Sequence, residues 1–196
     1  LVALTEITFK VLPAPDESKT LIIHNQKIEA ASVFLEKAIS SSNDISGSVF
    51  LPTEPDVPGC VMNIDETFKL NDLKHKGSLI AFRIEGSKNS INERTQNLIE
   101  ELEISDLDIS VLETHQSEIF WTKIKNLELF ISSKNSILRI VIPPSECIQL
   151  IYQFSNKFKY FLDWGGALIW LEAFELSEEM FESIRKKVVK HGGYIT

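Results

Sequence analysis

Cysteine is scarce. The 196 residues contain two, Cys60 and Cys147. Thiols so far apart in sequence build no disulfide framework, and their number fits a reducing, cytoplasmic compartment. Basic residues are also short: 20 Lys and Arg against 28 Asp and Glu leave a formal net charge of -8. That excludes a surface of clustered cations for nucleic acid. It does not bear on a small acidic substrate, because one arginine can hold a carboxylate inside an acidic protein. No apolar run reaches the ~20 residues that a bilayer span needs, and no signal-peptide pattern opens the chain. The first residue is Leu1 and not a methionine, and a strand-like run follows at once. The chain is therefore read as a piece of a longer protein. Its histidines (His24, His75, His115 and His191) never fall two or four residues apart, so no local metal site is expected. No Ser or Cys sits in a nucleophile-elbow sequence. No residue is assigned as catalytic.

What is present is the composition of a globular protein, 43% hydrophobic and 24% charged. Residues Leu1 to Leu12 alternate apolar and polar and predict a strand, followed by a Pro-rich connector, PAPDES, that marks a domain boundary. The boundary divides residues 1–15 from 16–196. Beyond it the pattern predicts a strand at Thr20–His24 and a helix carrying Ile28, Ala31, Leu35 and Ala38 or Ile39 on one face. A strand at Ser46–Leu51 comes next, then a long excursion from Pro52 to Lys76 with a helical turn near Asn71. Ser78–Glu85 is a strand, and Ser90-Ile91-Asn92-Glu93 has the capping-box pattern that opens a helix. Asp108–Glu113 is a strand and Gln116–Leu127 a helix. Ser136–Ile142 is a strand stopped by Pro143-Pro144, and Ser145 starts a helix. Strands at Lys159–Asp163 and Ala167–Ala173 meet around Gly165-Gly166. Ser177 caps a last helix that Gly192-Gly193 stops, and Tyr194–Thr196 begins a final strand.

The resulting order is βαββαβ, then one extra helix, then βαββαβ. The expected class is α+β: two related ferredoxin-like units forming an antiparallel sheet with helices on one face. The other sheet face must meet solvent or a partner. Strand alternation assigns that face. Ile80, Phe82 and Ile84 share one side of their strand, with Arg83 and Glu85 opposite. Leu138, Ile140 and Ile142 share one side of theirs, with Arg139 opposite. The apolar sides belong against the helices, so Arg83 and Arg139 project from the open face, where a guanidinium can hold a carboxylate through two parallel hydrogen bonds. The plainer alternative is an ion-paired arginine, for instance Arg83 beside Glu85. Gly165-Gly166 lacks the further glycines and the lysine of a phosphate loop and reads as a bend where backbone passes close to something. The tryptophans read first as core or interface aromatics, with Trp164, beside the two glycines, the one of interest.

The run Asp163 to Leu171, DWGGALIWL, resembles the D-W-G-G-A-x-x-W-L segment of the glycolate oxidase FAD-binding subunit family. LTEITFKVLPAP at the start resembles the end of that family's FAD domain. FRIEG (Phe82–Gly86), FW (Phe120-Trp121), LRIVIPP (Leu138–Pro144) and HGGYIT (His191–Thr196) follow in matching order. The resemblance implies a flavoprotein of the vanillyl-alcohol oxidase type. Residues 1–15 would then be the last strand and exit of an FAD-binding domain that the chain otherwise lacks, and residues 16–196 the cap (substrate) domain over the flavin. It implies a second flavin subunit and an iron–sulfur subunit as partners, and oxidation of a 2-hydroxy acid such as glycolate by hydride transfer to FAD. Related flavin subunits carry a His-rich, metal-binding motif in the cap. DWGGALIWL occupies the comparable place with no histidine, which implies no metal here. By residue match the flavin-facing or substrate-binding candidates are Arg139, Arg83, Trp164, Gly165 and Gly166. FAD belongs to the full-length parent, and this chain alone is expected to bind it weakly and to be inactive. The competing reading is a non-catalytic ferredoxin-like module for ligand binding or subunit contact.

Overall fold

The structure, a computed structural model, describes residues 5–9, 14–53, 68, 77–130, 134–154 and 158–196. The first unit runs β1 (Glu17–His24), α1 (Ile28–Ser40), β2 (Ile45–Leu51), β3 (Leu79–Gly86), α2 (Lys88–Glu101) and β4 (Ile109–Leu112). A connecting helix, α3 (Thr114–Lys125), leads to the second unit. That unit is β5 (Ser136–Val141), α4 (Pro144–Phe154), β6 (Lys159–Asp163), β7 (Leu168–Ala173), α5 (Glu178–Lys190) and β8 (Tyr194–Ile195). The strands form one eight-stranded sheet in the order β4-β1-β3-β2-β6-β7-β5-β8. Each half has its first and third strands at the centre, so the two halves are the same ferredoxin-like unit, placed edge to edge in opposite senses. The expected α+β class and paired units are those observed.

Between the halves only two residue pairs connect β2 to β6, Val49 with Asp163 and Phe50 with Leu162. Apolar residues of one sheet face, among them Phe50, Phe82, Ile140 and Leu162, are fully or nearly fully buried. Stripes from α1 (Ile28, Ala31, Leu35, Ala38), α2 (Ile91, Leu98), α4 (Cys147, Leu150, Ile151) and α5 (Ile184, Val188) complete this core. Burial pushes the Cys147 thiol up to about 12, so it behaves as a small core hydrophobe. Tyr152 Oη on α4 donates to the Glu29 carboxylate on α1, a polar tie between the halves.

Several local expectations differ from what is seen. Of the strand predicted over Leu1–Leu12, only residues 5–9 are described. They form no strand, and Phe9 is exposed. The turn near Asn71 and Cys60 lie outside the described residues. The capping box at Ser90 does not open its helix: α2 begins at Lys88 after Ser87, whose extended backbone takes the N-cap position, and the Ser90 N–H is bonded to the Ser87 carbonyl. Pro144 is the first residue of α4, where its missing N–H leaves no unmet donor.

The larger correction concerns the helices, which do not all lie on one face. α3 lies on the opposite face, across the first unit. Its buried residues Ser117, Phe120, Trp121 and Ile124 keep helical spacing. Two of them meet hydroxyls of β1: Ser117 Oγ lies 2.8 Å from Ser18 Oγ and 2.7 Å from Thr20 Oγ1, and Trp121 Nε1 donates to Thr20 Oγ1 at 2.8 Å. Ser18 and Thr20 are polar residues on a strand face. Here each is buried against a helix that satisfies it, which is the condition on which polar groups go inside. Over the second unit Phe130 stacks on the buried Phe161 of the same face, so the face lies open chiefly over the joint.

The turn between β6 and β7 shows why the two glycines stand there. Trp164, Gly165 and Gly166 have φ of 51°, 63° and 88°, three successive left-handed residues. A Cβ on Gly165 would collide with Cδ1 of Ile39 on α1, which packs directly onto this turn. Gly165→Ala is expected to destabilise the fold by roughly 1–3 kcal/mol, from the left-handed backbone and the collision together. The further change Ile39→Ala should recover the collision part and not the backbone part. Urea unfolding of the single and double variants measures both, and additive losses would show that the contact with Ile39 is of no consequence.

Candidate functional site

A cleft of about 540 Å³ opens on the sheet face away from the main core, over the joint of the two units. Antiparallel register brings its floor together. Gly47 on β2 pairs with Arg83 on β3, Asp163 on β6 pairs with Leu168 on β7, and Trp170 on β7 pairs with Arg139 on β5. Paired residues share a face, so all six point the same way. The α3 residues Glu118, Trp121 and Lys125 form one wall, and Trp164 stands at the rim, 57% exposed.

The two candidate arginines differ in what they have left to offer. The guanidinium of Arg83 is held on several sides. Its Nε donates to Ser46 Oγ at 3.1 Å and its Nη2 to the Ser46 carbonyl at 3.3 Å. Glu85 Oε2 lies 3.4 Å from Nε, and the guanidinium sits over the Trp121 ring at 5.2 Å. β2 carries a bulge between Ile45 and Gly47, which brings the extra residue, Ser46, beside Arg83. The plainer alternative, a paired Arg83 beside Glu85, describes what the structure shows.

Arg139 is different. Its backbone N–H and C=O bond to Thr196, which fixes the strand beneath it. Its guanidinium lies over the Trp164 ring, 5.2 Å from the centroid. Among the described residues no carboxylate lies within 4.0 Å of it and no hydrogen bond uses its side-chain donors. The indole restrains the guanidinium without consuming its N–H groups.

Asp163 is a cleft residue that reading the sequence did not single out. Its Oδ1 accepts the Trp164 N–H at 2.8 Å, capping the turn that displays the indole. The Trp170 side chain also bonds to the carboxylate, and Arg83 attracts it. Burial outweighs these three effects, so the carboxyl titrates above its ordinary value. The signal was available, since Asp163 opens the D-W-G-G run and shares the parity of the strand positions that face the cleft. Trp121 and Trp170, read as core or interface aromatics, also line it.

Arg83, Arg139 and Trp164 thus come together from β3, β5 and the β6–β7 turn. Gly165 and Gly166 do not join them. Both are buried and line a separate groove on the helix side of the sheet, between α1 and α4. They shape the turn and leave the cleft to its neighbours. Among the described residues no cluster of His, Cys, Asp and Glu suited to a metal ion is present, and no helix is long and apolar enough to cross a membrane.

No family model matches the sequence, and no curated protein matches it. Solved structures do match. A 4-ethylphenol oxidase from Gulosibacter chungangensis, in complex with isoeugenol, superposes with a TM-score of 0.60 over 93% of this chain, at 10% identity. This chain shares its fold. A p-cresol methylhydroxylase with substrate bound superposes at 0.56 over 92% of the chain, at 8% identity. The chain spans less than half of either, 46% of the first and 44% of the second. At such identities the likeness is one of architecture and does not carry residue roles across.

The Asp163 environment sets a pH test. A carboxyl whose folded value is raised contributes stability that is fully present below its unfolded value and is lost as pH rises through the folded value. Asp163→Asn removes that ionisation and keeps an oxygen for the Trp164 N–H. Relative to the unmodified protein, the variant should gain stability as pH rises from about 3 to about 7. Thermal melts at the two pH values check this, and a difference that is constant with pH would refute the environment described.

Proposed function

We propose that this chain is the cap, or substrate, domain of an FAD-linked oxidoreductase that oxidises a 2-hydroxy acid, of the glycolate oxidase type. The observation that carries the reading is Arg139: a guanidinium restrained by Trp164, with no carboxylate partner among the described residues, on a sheet face that points away from the core. Such a group binds a carboxylate from outside the chain. Two further lines support it. The motifs led by DWGGALIWL resemble the FAD-binding subunit of glycolate oxidase, and the fold is that of part of two larger enzymes, a 4-ethylphenol oxidase and a p-cresol methylhydroxylase.

In this reading residues 1–15 leave an FAD-binding domain, residues 16–196 form the cap, and a second flavin subunit and an iron–sulfur subunit are the partners. The exposed indole of Trp164 suits stacking on a planar, electron-poor ring. A Cβ on Gly166 would meet open space, so the β6–β7 turn is no tight cradle for phosphate. This turn therefore fits the ring end of FAD better than its pyrophosphate. FAD, when bound, supplies the hydride acceptor. The chain's own part is to fix the substrate. Arg139 holds the carboxylate, Trp164 keeps the guanidinium in place, and Asp163 holds the turn that presents Trp164. A second reading, a non-catalytic module for ligand binding or subunit contact, draws on the internal pairing of Arg83, which removes one of the two expected anion-binding groups.

The test is the absorbance spectrum of the full-length protein that carries this chain, before and after anaerobic glycolate. Flavin bands that bleach are expected, and Arg139→Ala should raise the half-saturating glycolate concentration by about tenfold or more. A full-length protein without flavin would overturn the proposal in favour of the module.

A further inference from the structure

The cleft is larger and more aromatic than a two-carbon acid requires. All three tryptophans of the chain, Trp121, Trp164 and Trp170, line it, together with Leu168. Its charged lining residues are three cations, Arg83, Arg139 and Lys125, against two carboxylates, Asp163 and Glu118, in a chain whose net charge is -8. Arg83 is already paired with Glu85, so Arg139, which has no carboxylate partner among the described residues, is a cation offered to an anion. The cleft's volume of about 540 Å³ falls in the range that encloses ligands of ring size and above. A glycolate would fill little of that space and would leave the exposed part of the Trp164 indole in water.

We infer that the cleft binds an aromatic carboxylate, its carboxylate on Arg139 and its ring beside Trp164 and Trp170. The inference rests on the reading of this face as the substrate face and narrows the substrate class within it. Arg139 is suited to the anion because stacking on Trp164 has already restricted its rotamers while leaving its N–H groups to donate, so little further ordering is needed on binding. Trp170 is half-buried, and its pairing with Arg139 across β7 and β5 places an indole next to the guanidinium. A ring lying there loses water from its faces against indole while the carboxylate reaches the cation. The two ends of the ligand thus meet different chemistry, and each end has its own control.

Because the tryptophans all lie at the cleft, intrinsic fluorescence reports on it without a label. Titration of the protein with phenylacetate should give a saturable change in tryptophan emission. Glycolate and the uncharged phenylacetamide should each bind at least about tenfold more weakly, one lacking the ring and the other the charge. Arg139→Gln should weaken phenylacetate by about tenfold or more while leaving phenylacetamide unchanged. Glycolate binding as tightly as phenylacetate would overturn the aromatic class and leave the carboxylate site standing. Phenylacetamide binding as tightly as phenylacetate would overturn the role given to Arg139, and this arm needs no variant. Absence of a saturable response to all three ligands would overturn the inference altogether. The flavin reading is judged separately, by the spectrum of the full-length protein.

Discussion

The structure depends on a short seam. Two pairs of residues, Val49 with Asp163 and Phe50 with Leu162, join two ferredoxin-like sheets into one. So brief a ladder contributes little by itself. What holds it is the packing on its helix side, where α1 sits on the β6–β7 turn with no room for a side chain at Gly165, and where α4 packs against α1. The seam is also where the cleft lies. Arg83 and Trp121 reach it from one unit and Asp163, Trp164, Trp170 and Arg139 from the other. A site built at the meeting of two similar units gains two walls of different composition from one repeated fold.

The β6–β7 turn serves both sides of the sheet. Asp163 caps it, and three successive left-handed residues turn Trp164 outward over Arg139 while Gly165 passes under Ile39. Strain of this kind persists where its surroundings impose it. Here they are the Asp163 carboxylate on one face and α1 on the other. The rim indole and the packing of the core are thus positioned by the same few residues. That is why DWGG reads as one unit although its members do separate things.

The helix α3 gives the cleft its limits. It covers the open face of the first unit through Ser117 and Trp121, which satisfy the buried hydroxyls of β1, and Glu118 and Lys125, beside Trp121 on the helix, line the cleft. With α3 over the first unit and Phe130 over Phe161 in the second, the opening lies at the seam, and Arg83 is enclosed between Trp121 and the bulge at Ser46.

The order of elements, the paired units and the side of the sheet on which Arg83 and Arg139 lie were legible in the sequence. Each is local: apolar residues recur with the period of a strand or of a helix, and alternation divides the two faces of a strand whatever its neighbours are. Which strands become neighbours is not local. That β2 pairs with β6, so that residues from both units share one cleft, follows from burial summed over the whole sheet. The place of α3 was hidden for a related reason, since nothing local to Ser18 and Thr20 tells that Ser117 and Trp121 will cover and satisfy them. The unlike fates of the two arginines were decided by tertiary structure alone. Both arginines lie opposite an apolar strand side in the pattern, but Arg83 meets the Ser46 bulge and Glu85, whereas Arg139 meets an indole and, among the described residues, no carboxylate.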